Sequence, residues 1–216
     1  MAIEANTGLS GAGSSSASSG VTRSTWANFP AASSVDAGTV RMASDYNNSE
    51  WVSDGTYWKP RGGRQRPFVM AAAVSSTGTT SEVNAWAPTI PAGMLFPMCY
   101  VEFGYAATKT GTAGTMTMRK RYNGAAGTTI GYGNGISAAN INASIFAKVA
   151  AGIASGGNLT LTQYYPLQMS GFGATSSASV GVTHTMANAV TLNLTLQAGS
   201  AADTINITNA FVEICG

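Results

Sequence analysis

Apolar and polar residues alternate with period two along much of this chain, most cleanly in VTLNLTLQ at 190–197. Such alternation predicts half-buried strands, because successive side chains of a strand point to opposite faces. Further strands are expected at 67–74, 82–87, 96–106 (a long apolar one), 116–122, 128–132, 158–169 and 179–186, and the chain ends on TINIT and FVEIC. Gly, Asn and Pro punctuate them, as in Ile90-Pro91-Ala92-Gly93 and Asn123-Gly124. Many short strands with frequent turn cues predict a β sandwich of jelly-roll type over 66–216. Within MTMRKRY, alternation puts Arg119 and Arg121 on one face with Thr117, and Lys120 on the other with Met116, Met118 and Tyr122.

One segment is ambiguous. Ile141, Ile145, Val149 and Ile153 recur every four residues, which makes one apolar stripe on a helix over 138–154. The same stretch also reads as a strand, ASIFAKVA.

The N-terminal part follows different rules. Residues 1–20 contain GLSGAGSSSASSG and read as a flexible attachment arm. Residues 21–63 then hold three of the four tryptophans, Trp26, Trp51 and Trp58, among small residues. Large rings bury far more area than Ala or Ser and can hold a very small domain together. Asp36-Ala37-Gly38 and Asp54-Gly55 supply tight turns between short strands at 40–42, 51–52 and 57–58. The expectation is a small Trp-rich β meander that ends at Pro60 and Gly62-Gly63. Trp26, Trp51, Asp54, Gly55 and Trp58 are its structural anchors. The whole chain is therefore expected to be all-β: arm 1–20, meander module 21–63 and β-sandwich domain 66–216.

The module also resembles something known. Thr25, Trp26, Ala27, Pro30, Ala31, Ala32, Gly38, Trp51, Ser53, Asp54, Gly55, Thr56, Trp58 and Pro60 match a pattern of the type TWANLPAAS…SDGT.W.P. That pattern is similar to a module that recurs in tail-fibre, appendage and other virion proteins of tailed bacteriophages. The resemblant stretch covers about a sixth of the chain. It implies a phage particle as the location, reached by assembly in the host cytoplasm, without saying which part of the particle.

Composition narrows the function classes. Charged residues make up 9% of the chain, against roughly 25% in an ordinary soluble domain. A neutral β protein rich in Thr, Asn and Gly suits a particle-surface role better than a metabolic one. The net charge of +2 is too weak to imply a nucleic-acid partner. No run approaches the ~20 apolar residues of a membrane span, and the start MAIEANTGLSG lacks a signal-peptide pattern. The basic cluster Lys59, Arg61, Arg64 and Arg66 reads as a solvated linker. Cys99 and Cys215 read as two buried thiols.

Candidate chemistry is sparse. A single histidine, His184, makes no His-rich metal site, and two cysteines make no zinc motif. His184 and Asp203 lack a nucleophile motif of the G-x-S-x-G kind. Glu82, Glu102, Asp203 and Glu213 are the acids beyond the module, and sequence spacing does not show which of them meet. The glycine-rich GTTIGYGNG lacks the lysine of a phosphate cradle. The expectation is no enzyme, no cofactor and no metal, with Tyr164 and Tyr165 as the candidate glycan contact. Apolar anchors in the arm are few, Ile3 and Leu9 with Val21 after it, so ordering it needs contacts from neighbouring chains. Little charge on the sandwich suits burial against identical subunits, and the fibre resemblance makes these a homotrimer. A fibre or appendage subunit is the leading reading. A head decoration or cement protein and a glycan-binding host-receptor module are the alternatives.

Overall fold

The computed structural model describes the backbone over residues 21–137, 139–153, 158–167 and 181–216, and the side chains over 21–130, 139–140, 158–161 and 181–216. The arm at 1–20 lies outside these residues.

The first module is one four-stranded sheet of β1 (Thr22–Ser24), β2 (Val40–Ala43), β3 (Ser49–Ser53) and β4 (Trp58–Pro60), in that order. Strands β2 to β4 form the expected antiparallel meander. β1 adds a parallel strand to the free side of β2, Thr22 opposite Arg41. Nothing in its polar sequence announces it. After Pro60 the chain turns through Gly62 and Gly63, both left-handed with φ +75 and +80, where a side chain would be strained.

The remaining strands are β5 (Arg64–Val69), β6 (Val74–Thr77), β7 (Val83–Trp86), β8 (Thr89–Ile90), β9 (Tyr100–Thr110), β10 (Thr115–Tyr122), β11 (Thr128–Ser137), β12 (Ile141–Ile153), β13 (Asn158–Leu167), β14 (Val182–Thr185), β15 (Val190–Ala198) and β16 (Thr204–Cys215). One sheet runs β11-β10-β15-β7, with β8 also on β15. The other runs β14-β13-β12-β9-β16-β5, with β6 also on β16.

Taken in chain order, β6, β7, β9, β10, β11, β12, β15 and β16 pair as a rolled ribbon. The first lies beside the eighth and the second beside the seventh. The third and fourth then join those same two strands. The fifth pairs with the fourth, and the sixth with the third. Every one of these pairings is antiparallel, which defines a jelly roll. β13 and β14 widen one of its sheets. Over its part Ile141–Ile153 the ambiguous segment is strand, not helix: β12 pairs with β9 from Ile141 opposite Lys109 to Ala150 opposite Tyr100.

Between the sheets, Val101, Phe103, Tyr105 and Ala107 of β9 face Met116 and Met118 of β10 and the Val190, Leu192, Leu194 and Leu196 series of β15 in buried clusters. TINIT and FVEIC are one strand, β16, interrupted by a register shift between Ile207 and Asn209. The shift moves the buried set from odd positions (Ile205, Ile207) to even ones (Ala210, Val212, Ile214), as one extra residue must. Trp26, Trp51 and Trp58 belong to the same contiguous cluster as Ile90, Met94, Phe96, Val101 and Leu192. The module and the jelly roll therefore share a core.

On the outer face, Phe211 of β16 lies across Gly104 of β9. A Cβ at Gly104 would stand 2.2 Å from the Phe211 ring. The Arg66 guanidinium stacks on that ring, 3.8 Å from its centroid. Gly104→Ala is expected to cost about 1–3 kcal/mol through overpacking. Urea unfolding checks this, and the cost should vanish in the background of Phe211→Ala, where the ring is gone.

Candidate functional site

Six of the matched motif residues, Trp26, Trp51, Ser53, Asp54, Gly55 and Trp58, make local contacts that hold the module. Asp54 Oδ1 accepts the N–H groups of Thr56 and Tyr57 at 2.9 and 2.7 Å, and Asp54 pairs with Lys59 at 2.8 Å. The Lys59 hydrogen bond, then the two backbone donors, hold the Asp54 carboxyl down at about 2. Gly55 takes φ +89 and donates its N–H to Ser53 Oγ at 3.0 Å. Ser53 Oγ in turn donates to the Ala32 carbonyl at 2.9 Å. One short turn thus ties β3 and β4 to the Ala32–Ser34 segment.

The tryptophans complete the module. Trp51 is fully buried and its Nε1 donates to Ser49 Oγ at 2.8 Å. Trp58 is buried and donates to the Pro30 carbonyl at 2.9 Å. Trp26 receives a cap on its backbone N–H from Asp45 Oδ1 at 2.9 Å, while its Nε1 donates to the Ala92 carbonyl at 3.1 Å. That last bond reaches the loop between β8 and β9 and fastens the module to the jelly roll. Ring contacts run Trp51 to Trp26 (5.0 Å), Trp26 to Phe29 (4.9 Å) and Phe29 to Trp58 (5.1 Å), within the range of favourable aromatic pairs.

Above these rings opens a cleft of about 500 Å³, walled by Trp26, Phe29, Tyr46, Tyr57 and Trp58 and closed on one side by Pro91, Ala92 and Gly93 of the jelly roll. Asp45 is the one charged residue in its described lining. The Tyr46 phenol is pushed above its ordinary range, first by burial and then by the charge of Asp45. A mainly apolar wall with a few placed polar groups is the usual make-up of a small-molecule site. The sequence reading missed this cleft because Trp26 and Ala92 stand 66 positions apart.

The other candidates fall elsewhere. Tyr164 and Tyr165 lie on β13, and their side chains lie outside the described residues. His184 is buried, its Nδ1 3.1 Å from the Tyr122 hydroxyl, and burial pushes its pKa down. Cys99 and Cys215 are free buried thiols, and burial pushes Cys99 up to about 12. The four acids of the jelly roll are all ion-paired. Glu102 and Glu213 stand directly opposite each other on β9 and β16, bridged by Arg64 at 3.4 and 3.0 Å, with Arg66 on Glu213 at 2.7 Å. Glu82 receives both Arg121 and Arg119, at 2.6 and 3.2 Å. Asp203 meets Lys109 at 3.3 Å, both fully buried, and takes the N–H and hydroxyl of Thr112. The cluster Lys59, Arg61, Arg64 and Arg66 is solvent-exposed along its side chains, and each of its cations also holds a carboxylate. No group of three or more metal-ligating side chains lies among the described residues, and none of their helices is long and apolar enough to cross a membrane.

No family model matches the chain, and no curated protein matches it. Among solved structures it is similar to a family 18 polysaccharide lyase, aly-SJ02, with TM-score 0.30 and 9% identity, covering 71% of this chain and 95% of that one. It is also similar to a chain of infectious bursal disease virus, Gx strain, with TM-score 0.22 and 9% identity, covering 73% of this chain and 42% of that one. Both TM-scores are too low for either likeness to bear on fold or function.

Proposed function

We propose that this protein is a non-enzymatic structural subunit of a bacteriophage particle, a fibre or appendage component held by its N-terminal arm with the jelly roll outward. The observation that carries this reading is the role of the motif residues. Trp26, Ser53, Asp54, Gly55 and Trp58, which resemble the recurrent virion module, are the residues that make its turn, its ring stack and its link to Ala92. The resemblance thus rests on a physical unit and not on scattered letters. The ion-paired state of Glu82, Glu102, Asp203 and Glu213 supports a structural role for the jelly roll.

In this reading the arm contacts other virion proteins, and low-charge sides of the jelly roll pack against two identical copies. A head decoration role fits the same build, and host-surface glycan is a further partner for the outward domain. Light-scattering mass of the full-length chain is expected to give a trimer. A monomer in solution, together with one copy per attachment site in the particle, would exclude the trimer. Incubation of the protein with host surface polysaccharide is expected to release no sugar. Release that is lost on changing Glu102 or Glu213 would overturn the non-enzymatic assignment.

A further inference from the structure

We propose that the cleft at the junction of module and jelly roll binds an organic cation carrying an alkylated ammonium group, with Asp45 as its counter-charge. The charge of the lining selects the sign of the ligand. Asp45 is exposed and is the only charged side chain in the described lining. Two of the module's cations are held by other carboxylates, Lys59 by Asp54 at 2.8 Å and Arg61 by Glu50 at 2.8 Å, and none of the described lining residues is a cation. An anionic ligand would meet the Asp45 carboxylate with no cation of the cleft wall to offset it.

The wall of the cleft favours the same sign. The half-buried Phe29, Tyr46 and Tyr57 line the cleft together with the buried Trp26 and Trp58, and aromatic ring faces attract cations. The indole N–H groups that would recognise an acceptor-rich ligand are already used inside the fold, on Ala92 and Pro30. Hydrogen-bonding capacity separates the classes of cation. A primary ammonium has three N–H donors to satisfy and is strongly hydrated. Asp45 offers the only carboxylate, and one of its oxygens already accepts the Trp26 N–H. A quaternary or heavily alkylated ammonium has no such donors to lose, and it gains from ring faces and one counter-charge alone.

The inference is independent of any role in a particle, and the full-length chain tests it. Choline and its neutral isostere 3,3-dimethylbutan-1-ol are titrated while tryptophan fluorescence is followed. Saturable binding of choline is expected, with the isostere weaker by about tenfold or more because it lacks the charge. Asp45→Asn keeps an oxygen for the Trp26 N–H and removes the charge. It is expected to weaken choline by about tenfold while leaving the melting temperature close to wild type. Acetyl-lysine-methylamide, the primary-ammonium arm, is expected to bind more weakly than choline. Equal binding of choline and the isostere would overturn the proposal, as would no saturable response to choline. Choline binding unaffected by Asp45→Asn would do the same, and so would occupation of the cleft by a peptide of residues 1–20 that choline cannot displace.

Discussion

Replacing Trp51 with alanine is expected to lower the unfolding free energy by about 3–5 kcal/mol, the usual range for truncating a buried tryptophan. Trp51 has no exposed surface, its ring meets Trp26 edge-on at 5.0 Å, and its indole N–H is held by Ser49. Alanine there removes the ring, empties the centre of a four-stranded sheet and leaves the Ser49 hydroxyl without its buried partner. The loss is large against a total of about 5–15 kcal/mol for a typical domain. Since the three tryptophans share a core with Ile90, Met94 and Phe96, the damage should reach the jelly roll. Denaturant unfolding of the variant should still show one transition for module and jelly roll together, at lower denaturant. A change below about 1 kcal/mol, or a module that melts alone while the jelly roll keeps its wild-type midpoint, would remove the shared-core account.

The second large effect has the opposite sign. Lys120 is 1% exposed, between Met118 and Tyr122 on the inward face of β10, and burial lowers its pKa to about 7. In the unfolded chain a lysine titrates near 10.4. Between those two values the unfolded chain holds a proton that the folded one has released, so stability falls as pH drops from about 10 to 7 and is flat below. A gap of about 3 units corresponds to about 4 kcal/mol. Lys120→Met, of similar length and without the charge, is therefore expected to be more stable than wild type by about 2–4 kcal/mol at pH 6–7. That advantage should shrink by about 1.4 kcal/mol per unit as pH rises above 7. The thiol of Cys99 pulls the other way at high pH, because burial keeps it protonated in the fold while the unfolded thiol ionises. It is common to both proteins and cancels in their difference. An advantage that does not change between pH 6 and 9, or a variant less stable than wild type throughout, would show that Lys120 is not the penalised group.

Local chemistry explains what was legible in the sequence. VTLNLTLQ and MTMRKRY announce their faces because the apolar residues of each recur with period two on the face toward the core, although Asn193 and Thr195 on the other face of VTLNLTLQ are buried as well. That is why Lys120 lies with Met116 and Met118 and apart from Arg119 and Arg121. The Ser53-Asp54-Gly55 turn is readable because an Asx turn and a positive φ need those residue types in that order. The segment around Ile141, Ile145, Val149 and Ile153 resisted because a spacing of four is an even number. It keeps residues on one face of a strand as well as roughly one side of a helix, and pairing with β9 decides between them.

What the sequence could not show is long-range. Glu102 and Glu213 become neighbours only when β9 meets β16. Arg66 finds Glu213 across 147 positions, and no local pattern marks either partner. The charged stretch at 59–66 reads as solvated when taken by itself, yet folding gives its cations carboxylate partners. The cleft is the same case: its rings are local to the module, but its far wall, Pro91–Gly93, comes from the jelly roll.

A cryo-electron-microscopy map of purified particles is the most direct test of the structural role. The account predicts density for the jelly roll projecting from the particle in groups of three. The Trp-rich module should lie at its base, with residues 1–20 running into a neighbouring virion protein. Particles that carry no copy of this chain, with the protein confined to the soluble fraction of infected cells, would contradict it.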